Sequence, residues 1–254
     1  MFDLSNKTAL ITGGNGGIGL GIAEGYLQFG ASLIIIGRNE QKNEESRAYL
    51  AKKFPESKIS FFICDITEVK SVDQMFIEIY KENESIDILV NNAGINIRAT
   101  EPQELSFEDW SKVISINLSS MHIMSSKVVE KMKKNGSGKI INIGSMLSIF
   151  GSTYGSAYAA SKGGVVQYTK SCADGWSKDN IQVNAILPGW IVTAMTEKFR
   201  ITYPERHALI QPRTPAGRWG TPNDLAGTAI FLASEASQFV SGVSIPVDGG
   251  YSIR

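Results

Sequence analysis

The sequence predicts one α/β domain, a doubly wound parallel sheet with helices on both faces. Three observations carry this. Short runs rich in Ile and Val alternate with longer stretches of helical period along the whole chain, the pattern of repeated βαβ units. The apolar runs are nearly continuous, as strands buried on both faces require. No Pro/Gly/Ser-rich linker, charge block or repeat divides the 254 residues, so 1–254 reads as a single domain.

The elements follow in order. The first strand falls at Thr8–Thr12, followed at once by a glycine loop and a helix near Gly17–Phe29. Strand Ser32–Ile36 leads to a helix near Glu40–Phe54, and strand Ile59–Cys64 to a helix near Ser71–Glu82. Strand Ile86–Val90 precedes a long helical stretch near Ser106–Lys134, and Lys139–Ile143 precedes a helix near Tyr154–Ser177. Strand Gln182–Ile186, a helix near Pro222–Ala233 and strand Val243–Val247 complete the set. Residues 187–221 do not fit the sheet. Pro188, Pro204, Pro212 and Pro215 interrupt regular structure there, and so long a segment in a compact domain reads as a lid over a site.

Charge and composition exclude several classes. Lys+Arg and Asp+Glu balance at 25 each, so no global charge draws the chain to nucleic acid or an anionic membrane. The longest apolar runs have strand length, far below the ~20 residues a bilayer needs. The N-terminus enters the first strand without the regions of a leader peptide, and a cytoplasmic protein is expected. Cys64 and Cys172 read as buried small hydrophobes. His122 and His207 stand apart from each other and from any cysteine, so no metal site is read.

The stretch "TGGNGGIG" between the first strand and helix has the form of a phosphate-binding turn. Gly13 permits the tight turn, Gly17 lets backbone approach a pyrophosphate at the helix N-terminus, and Gly19 lets the helix lie close to the sheet. An acidic residue about 20 positions on usually binds the adenosine ribose. Here Gly37 and Arg38 stand in that place. Without the carboxylate a 2′-phosphate is not repelled, and Arg38 offers it two donors. NADP(H) is therefore favoured, with NAD(H) the alternative. Asp65, just past the third strand, either meets the adenine amine or caps a turn.

Tyr158 and Lys162 lie four residues apart, with Ser145 thirteen before the tyrosine. Residues i and i+4 share a helix face, so phenol and ammonium meet. Spacing alone decides nothing, because Tyr49 and Lys53 have it too.

Taken together, "TGGNGGIG", "NNAG" at Asn91–Gly94, Asn117 in "SINLSS", Ser145, "YAASK" at Tyr158–Lys162, "LPGWIVT" at Leu187–Thr193 and "VDGG" at Val247–Gly250 resemble the short-chain dehydrogenase/reductase family. They occur in its order and spacing, over essentially the whole chain. The resemblance implies a seven-stranded Rossmann sheet, usually a homotetramer, and an NAD(P)-dependent dehydrogenase or carbonyl reductase. Tyr158 would be the general acid/base and Lys162 would favour its phenolate and bind the nicotinamide ribose. Ser145 would steady the reacting oxygen, and Asn117 would hold a water linking Lys162 to solvent. Asn15, Ile18, Ile66, Asn91, Ala93, Gly94, Pro188, Gly189, Ile191 and Thr193 would join Gly13, Gly17, Gly19, Arg38 and Asp65 around the dinucleotide, with Asn91 also supporting the central sheet.

"GSMLS" at Gly144–Ser148 and "RTPAGRWGTPNDLAG" at Arg213–Gly227 are similar to the sugar-acid branch, the gluconate 5-dehydrogenases and 2-deoxy-D-gluconate 3-dehydrogenases. Met146 would then line the substrate site with Ser145 and Tyr158. Arg98, in the loop after the fourth strand, suits a substrate carboxylate through two hydrogen bonds. Arg218 and Trp219 either serve the site or pack the lid onto the core. Two alternatives stand beside a sugar-acid oxidoreductase. One is a reductase of 3-oxoacyl thioesters on acyl carrier protein, or of another carbonyl. The other is a dinucleotide sensor without catalysis, which would lack one of Ser145, Tyr158, Lys162 or Asn117.

Overall fold

The computed structural model describes residues 1–253, apart from the side chains at 198 and 206. Seven parallel strands form one sheet in the order β3-β2-β1-β4-β5-β6-β7. They are β1 (Thr8–Thr12), β2 (Ser32–Gly37), β3 (Ile59–Ile63), β4 (Ile88–Asn91), β5 (Gly138–Ile143), β6 (Ile181–Pro188) and β7 (Ser244–Val247). The helices are α1 (Gly17–Gln28), α2 (Glu40–Lys53), α3 (Val69–Glu82), α4 (Phe107–Ile114), α5 (Ser120–Asn135), α6 (Ser156–Trp176), α7 (Ala194–Thr202), α8 (Pro204–Arg213) and α9 (Asn223–Ala233).

Alternate residues of each strand feed opposite cores. Ile11, Ile35, Val90 and Ile141 pack with Ile22 and Tyr26 of α1 and Leu225 and Ile230 of α9. Leu10, Ile34, Leu89 and Ile140 pack with Val72 and Phe76 of α3, Val128 of α5 and Cys172 of α6. Both faces are thus covered, the condition under which strands read as continuous apolar runs. Cys64 and Cys172 are buried free thiols. Among the described residues no helix is long and apolar enough to cross a membrane.

Two expectations change in detail. The stretch near Ser106–Lys134 is not one helix: a π turn over Ser115–Ser119 separates α4 from α5 and carries Asn117. Residues 187–221 do contain regular structure, α7 and α8, which break at Tyr203 just before Pro204. The base of this excursion is clamped, because Val192 donates to the Gly220 carbonyl and Gly220 to the Trp190 carbonyl, both at 2.9 Å.

Chain order reverses between β1 and β4, so a crevice opens beyond their carboxyl ends. The Thr12 hydroxyl ties the two strands together there, accepting from the Asn92 and Ala93 N–H groups at 3.0 and 3.1 Å.

Candidate active site

The crevice over β1 and β4 is walled by the glycine loop on one side and the start of the excursion on the other. Gly13, Asn15, Gly17 and Ile18 line it, with Arg38, Asp65 and Ile66 at one end and Tyr158 and Lys162 at the other. Ala93, Gly94, Pro188, Gly189, Ile191 and Thr193 complete it. Two residues expected here do not line it. Asn91 turns into the sheet, donating to Asn142 Oδ1 at 2.8 Å and Ser125 Oγ at 3.2 Å, and its neighbour Asn92 lines the crevice instead. Gly19 lies behind the loop, where an added Cβ would stand 2.4 Å from the Gly13 carbonyl oxygen. The close approach it permits is of α1 to its own preceding turn and, at 2.6 Å, to Asn92 Nδ2 at the end of β4.

The crevice fits a dinucleotide. Gly13 has φ of 65°, a left-handed conformation that favours glycine. The first turn of α1 has neither a side-chain cap nor an acidic residue, which leaves its N–H groups and positive dipole end for a pyrophosphate. Asn15 holds the loop in place by donating to Asn43 Oδ1 of α2 at 2.7 Å. At the adenosine end Arg38 pairs with Asp65 at 3.5 Å, both exposed. Lys42 in the first turn of α2 lines the same end, a second cation not singled out from sequence. Thr193 is both crevice wall and N-cap of α7.

Tyr158 and Lys162 open α6, and the lysine is 3% exposed. Its ammonium donates to the Ile143 carbonyl at 2.6 Å and lies 5.6 Å from the Tyr158 ring centre. Burial pushes the Lys162 ammonium down to about 8. Burial also raises the Tyr158 phenol, opposed by the Ser145 hydroxyl and then the Arg98 charge. Arg98 thus adds a second cation near the phenol, beside the Lys162 ammonium. Ser145 caps a short 3₁₀ turn after β5, accepting from the Leu147 N–H at 3.1 Å.

Asn117 is fully buried and its side chain is committed: it accepts from the Ile95 N–H at 2.8 Å and donates to the Ile95 carbonyl at 2.9 Å and Ser161 Oγ at 3.1 Å. Its neighbourhood with Lys162 is direct. A Cβ built on Gly94 would meet Asn117 Oδ1 at 3.3 Å and Lys162 Nζ at 3.7 Å.

Beyond the phenol lies a second cavity of about 530 Å³, bounded by Arg98, Ser145, Met146 and Tyr158. Sequence reading missed its other walls, which include Asn96, Phe150, Trp190, Phe199, Arg213 and Tyr251. The Arg98 guanidinium lies 4.4 Å from the Phe199 ring centre, and Trp190 stacks on the same Phe199 ring at 5.2 Å. Arg218 grips Asp224 with two bonds of 2.7 and 2.8 Å, and Trp219 packs on Trp190 and His207. Arg218 therefore ties the excursion to α9, while Trp219 packs the excursion against itself. Among the described residues no three His, Cys, Asp or Glu side chains come together as a metal site.

Tyr49 and Lys53 provide the internal contrast. Lys53 sits 5.8 Å from the Tyr49 ring centre, but Tyr49 is 45% exposed and Lys53 bonds Glu24 on the surface.

A family model for enoyl-(acyl carrier protein) reductase matches residues 13–252. A 2-dehydro-3-deoxy-D-gluconate 5-dehydrogenase from Bacillus subtilis is 42% identical over 254 residues, 100% of this chain and 97% of that protein. A 3-oxoacyl-(acyl-carrier-protein) reductase from Chlamydia muridarum is 38% identical, over 97% of this chain and 98% of its own length. A crystal structure of a gluconate 5-dehydrogenase from Burkholderia cenocepacia, in complex with NADP and tartrate, superposes with a TM-score of 0.91 at 37% identity, covering 100% of this chain and 98% of the other.

Proposed function

The chain belongs to the short-chain dehydrogenase/reductase family and is an NAD(P)-dependent oxidoreductase acting on CH–OH groups, and from this premise we propose that its substrate is a sugar acid of the gluconate or ketogluconate type. One observation carries the reading. The cavity in front of Tyr158 is lined by two guanidiniums, Arg98 and Arg213, and by no Asp or Glu among the described residues. Such a cavity suits a monoanionic or dianionic small molecule and rejects a cationic one. Polar lining by Asn96, Ser152 and Thr196 suits hydroxyl groups along the chain. The names of the sugar-acid relatives, and the NADP in the Burkholderia structure, support the same reading.

The crevice residues would hold a nicotinamide dinucleotide, which when bound would supply or take the hydride. Tyr158 handles the proton: as phenolate it takes the substrate hydroxyl proton, and as phenol it returns it. Ser145, beside it at the end of β5, steadies the reacting oxygen. Lys162, whose ammonium burial pushes down to about 8, would hold the nicotinamide ribose and favour the Tyr158 phenolate. Asn117 shapes the π turn beside Lys162, where a water would pass protons to solvent; its committed amide makes it a positioning residue. Arg38 and Lys42 favour NADP(H) over NAD(H). The proposal includes assembly into a homotetramer, supported by Phe107 and Phe239, large apolar side chains left in the open, and a cytoplasmic location.

The test is a screen of keto sugar acids and acetoacetyl thioesters with NADPH and with NADH, following nicotinamide oxidation. Turnover of a keto sugar acid with NADPH is the expected result. Turnover of the thioester alone would replace the reading with a 3-oxoacyl reductase.

A further inference from the structure

Two cations line one cavity, and the structure gives them different neighbours. Arg98 lies in the loop after β4, with its guanidinium carbon 4.4 Å from the Phe199 ring centre and 5.9 Å from that of Tyr203. Its charge reaches the Tyr158 phenol. Arg213 ends α8 and rests on other rings, 4.3 Å from the Tyr251 centre and 5.6 Å from that of Phe150. Those rings follow the turn after β5 and the end of β7, whereas the Phe199 ring beneath Arg98 belongs to α7. Among the described residues no acceptor or carboxylate partners the Arg213 guanidinium.

A guanidinium laid on a ring keeps its N–H donors in plane and pointing outward. That edge matches a carboxylate through two parallel bonds. The aromatic face beneath it removes water on one side and strengthens those bonds. Asn96, another wall of the same cavity, keeps its Oδ1 buried without a hydrogen-bond partner among the described residues. That acceptor would be satisfied by a hydroxyl of a chain that enters.

Resting on the sugar-acid reading, we propose that Arg213 binds the substrate carboxylate at the end of the cavity away from the reacting oxygen, while Arg98 serves the reacting end. The substrate then spans the cavity, with its acid group on Arg213 and its carbinol carbon before Tyr158. This makes Arg213 the residue that separates acids from neutral polyols of the same length.

The experiment is steady-state kinetics of the wild type, Arg213→Met, Arg213→Gln and Arg213→Lys. Substrates are a six-carbon hydroxy or keto acid and the matching neutral polyol or ketose, the latter also as inhibitor. Losing charge-assisted bonds should raise KM for the acid roughly 10- to 100-fold in the Met and Gln variants. Their kcat, their pH profile and their affinity for the neutral compound should stay near wild type, and Lys should restore part of the acid affinity. Arg213 is exposed, so these variants should fold. An unchanged KM for the acid, or an equal loss for the neutral compound, overturns the assignment of Arg213 alone. A wild type that uses neutral ketones or thioesters but no sugar acid overturns the sugar-acid reading and this proposal with it.

Discussion

The Lys162 ammonium stands 5.6 Å from the centre of the Tyr158 ring while it donates to the Ile143 carbonyl at the end of β5. The tyrosine is thus held against a lysine anchored to the sheet. Tyr158→Phe removes only the hydroxyl and leaves ring, helix and crevice in place. Turnover should fall by roughly 100-fold or more, with NADPH affinity by fluorescence titration near wild type. Retained turnover would take Tyr158 out of the proton step.

Arg98 should set the pH dependence. Alcohol oxidation needs the phenolate, so its rate rises as pH passes the Tyr158 pKa. Burial raises that pKa, and the Ser145 hydroxyl and Arg98 charge pull it back. Arg98→Met should therefore move the rising limb of kcat/KM for oxidation, and the falling limb for reduction, to higher pH. An unshifted profile would detach Arg98 from the reacting end.

Arg38 should decide cofactor choice. Its contact with Asp65 is exposed and 3.5 Å long, worth under about 1 kcal/mol, so it leaves the guanidinium available to a phosphate. Arg38→Ala should weaken NADPH binding roughly 10- to 100-fold and NADH binding much less, read by isothermal titration. Equal losses for the two cofactors would refute a 2′-phosphate contact.

Lys139, near the amino end of β5 and remote from the site, is 6% exposed and donates to Ser237 Oγ at 3.2 Å. Burial lowers its ammonium from 10.5 to about 8. Below pH 8 both folded and unfolded chains hold the proton, and folding bears the cost of burying it. Between about 8 and 10.5 the folded chain has released the proton while the unfolded chain has not, so stability rises with pH there. Lys139→Met should raise the unfolding free energy at pH 7 by about 1–3 kcal/mol and make that rise shallower. Urea melts at several pH values, with activity as control, would check it.

Much of this was legible in the chain. Both ends of every strand fell within two residues of the expected apolar run, because a parallel strand buried on both faces needs apolar residues in succession. The glycine loop was legible because Gly13 needs a left-handed turn and Gly19 has no room for a Cβ. The π turn at Ser115–Ser119 was not, since its hydrogen bonds shift by one residue without altering the apolar pattern. The inward turn of Asn91 agrees with the sheet-supporting part the family resemblance gave it, but that Asn92 lines the crevice in its place was not legible, a matter of which side chain the strand end presents.

Local period and turn chemistry determined the strands, the phosphate loop and the order of the catalytic residues, because each depends on near neighbours in the chain. They could not separate Tyr158 and Lys162 from Tyr49 and Lys53, whose ammonium-to-ring distances, 5.6 and 5.8 Å, are nearly the same. Tertiary structure made that distinction by burying one lysine against Ile143 and leaving the other paired with Glu24 on the surface. It alone also assembled the second cavity, from Asn96, Trp190, Arg213 and Tyr251. These residues meet only because the sheet brings the ends of β4, β5 and β6 to one edge and the clamped excursion folds back over it, and no local pattern records which loop residues will face each other there.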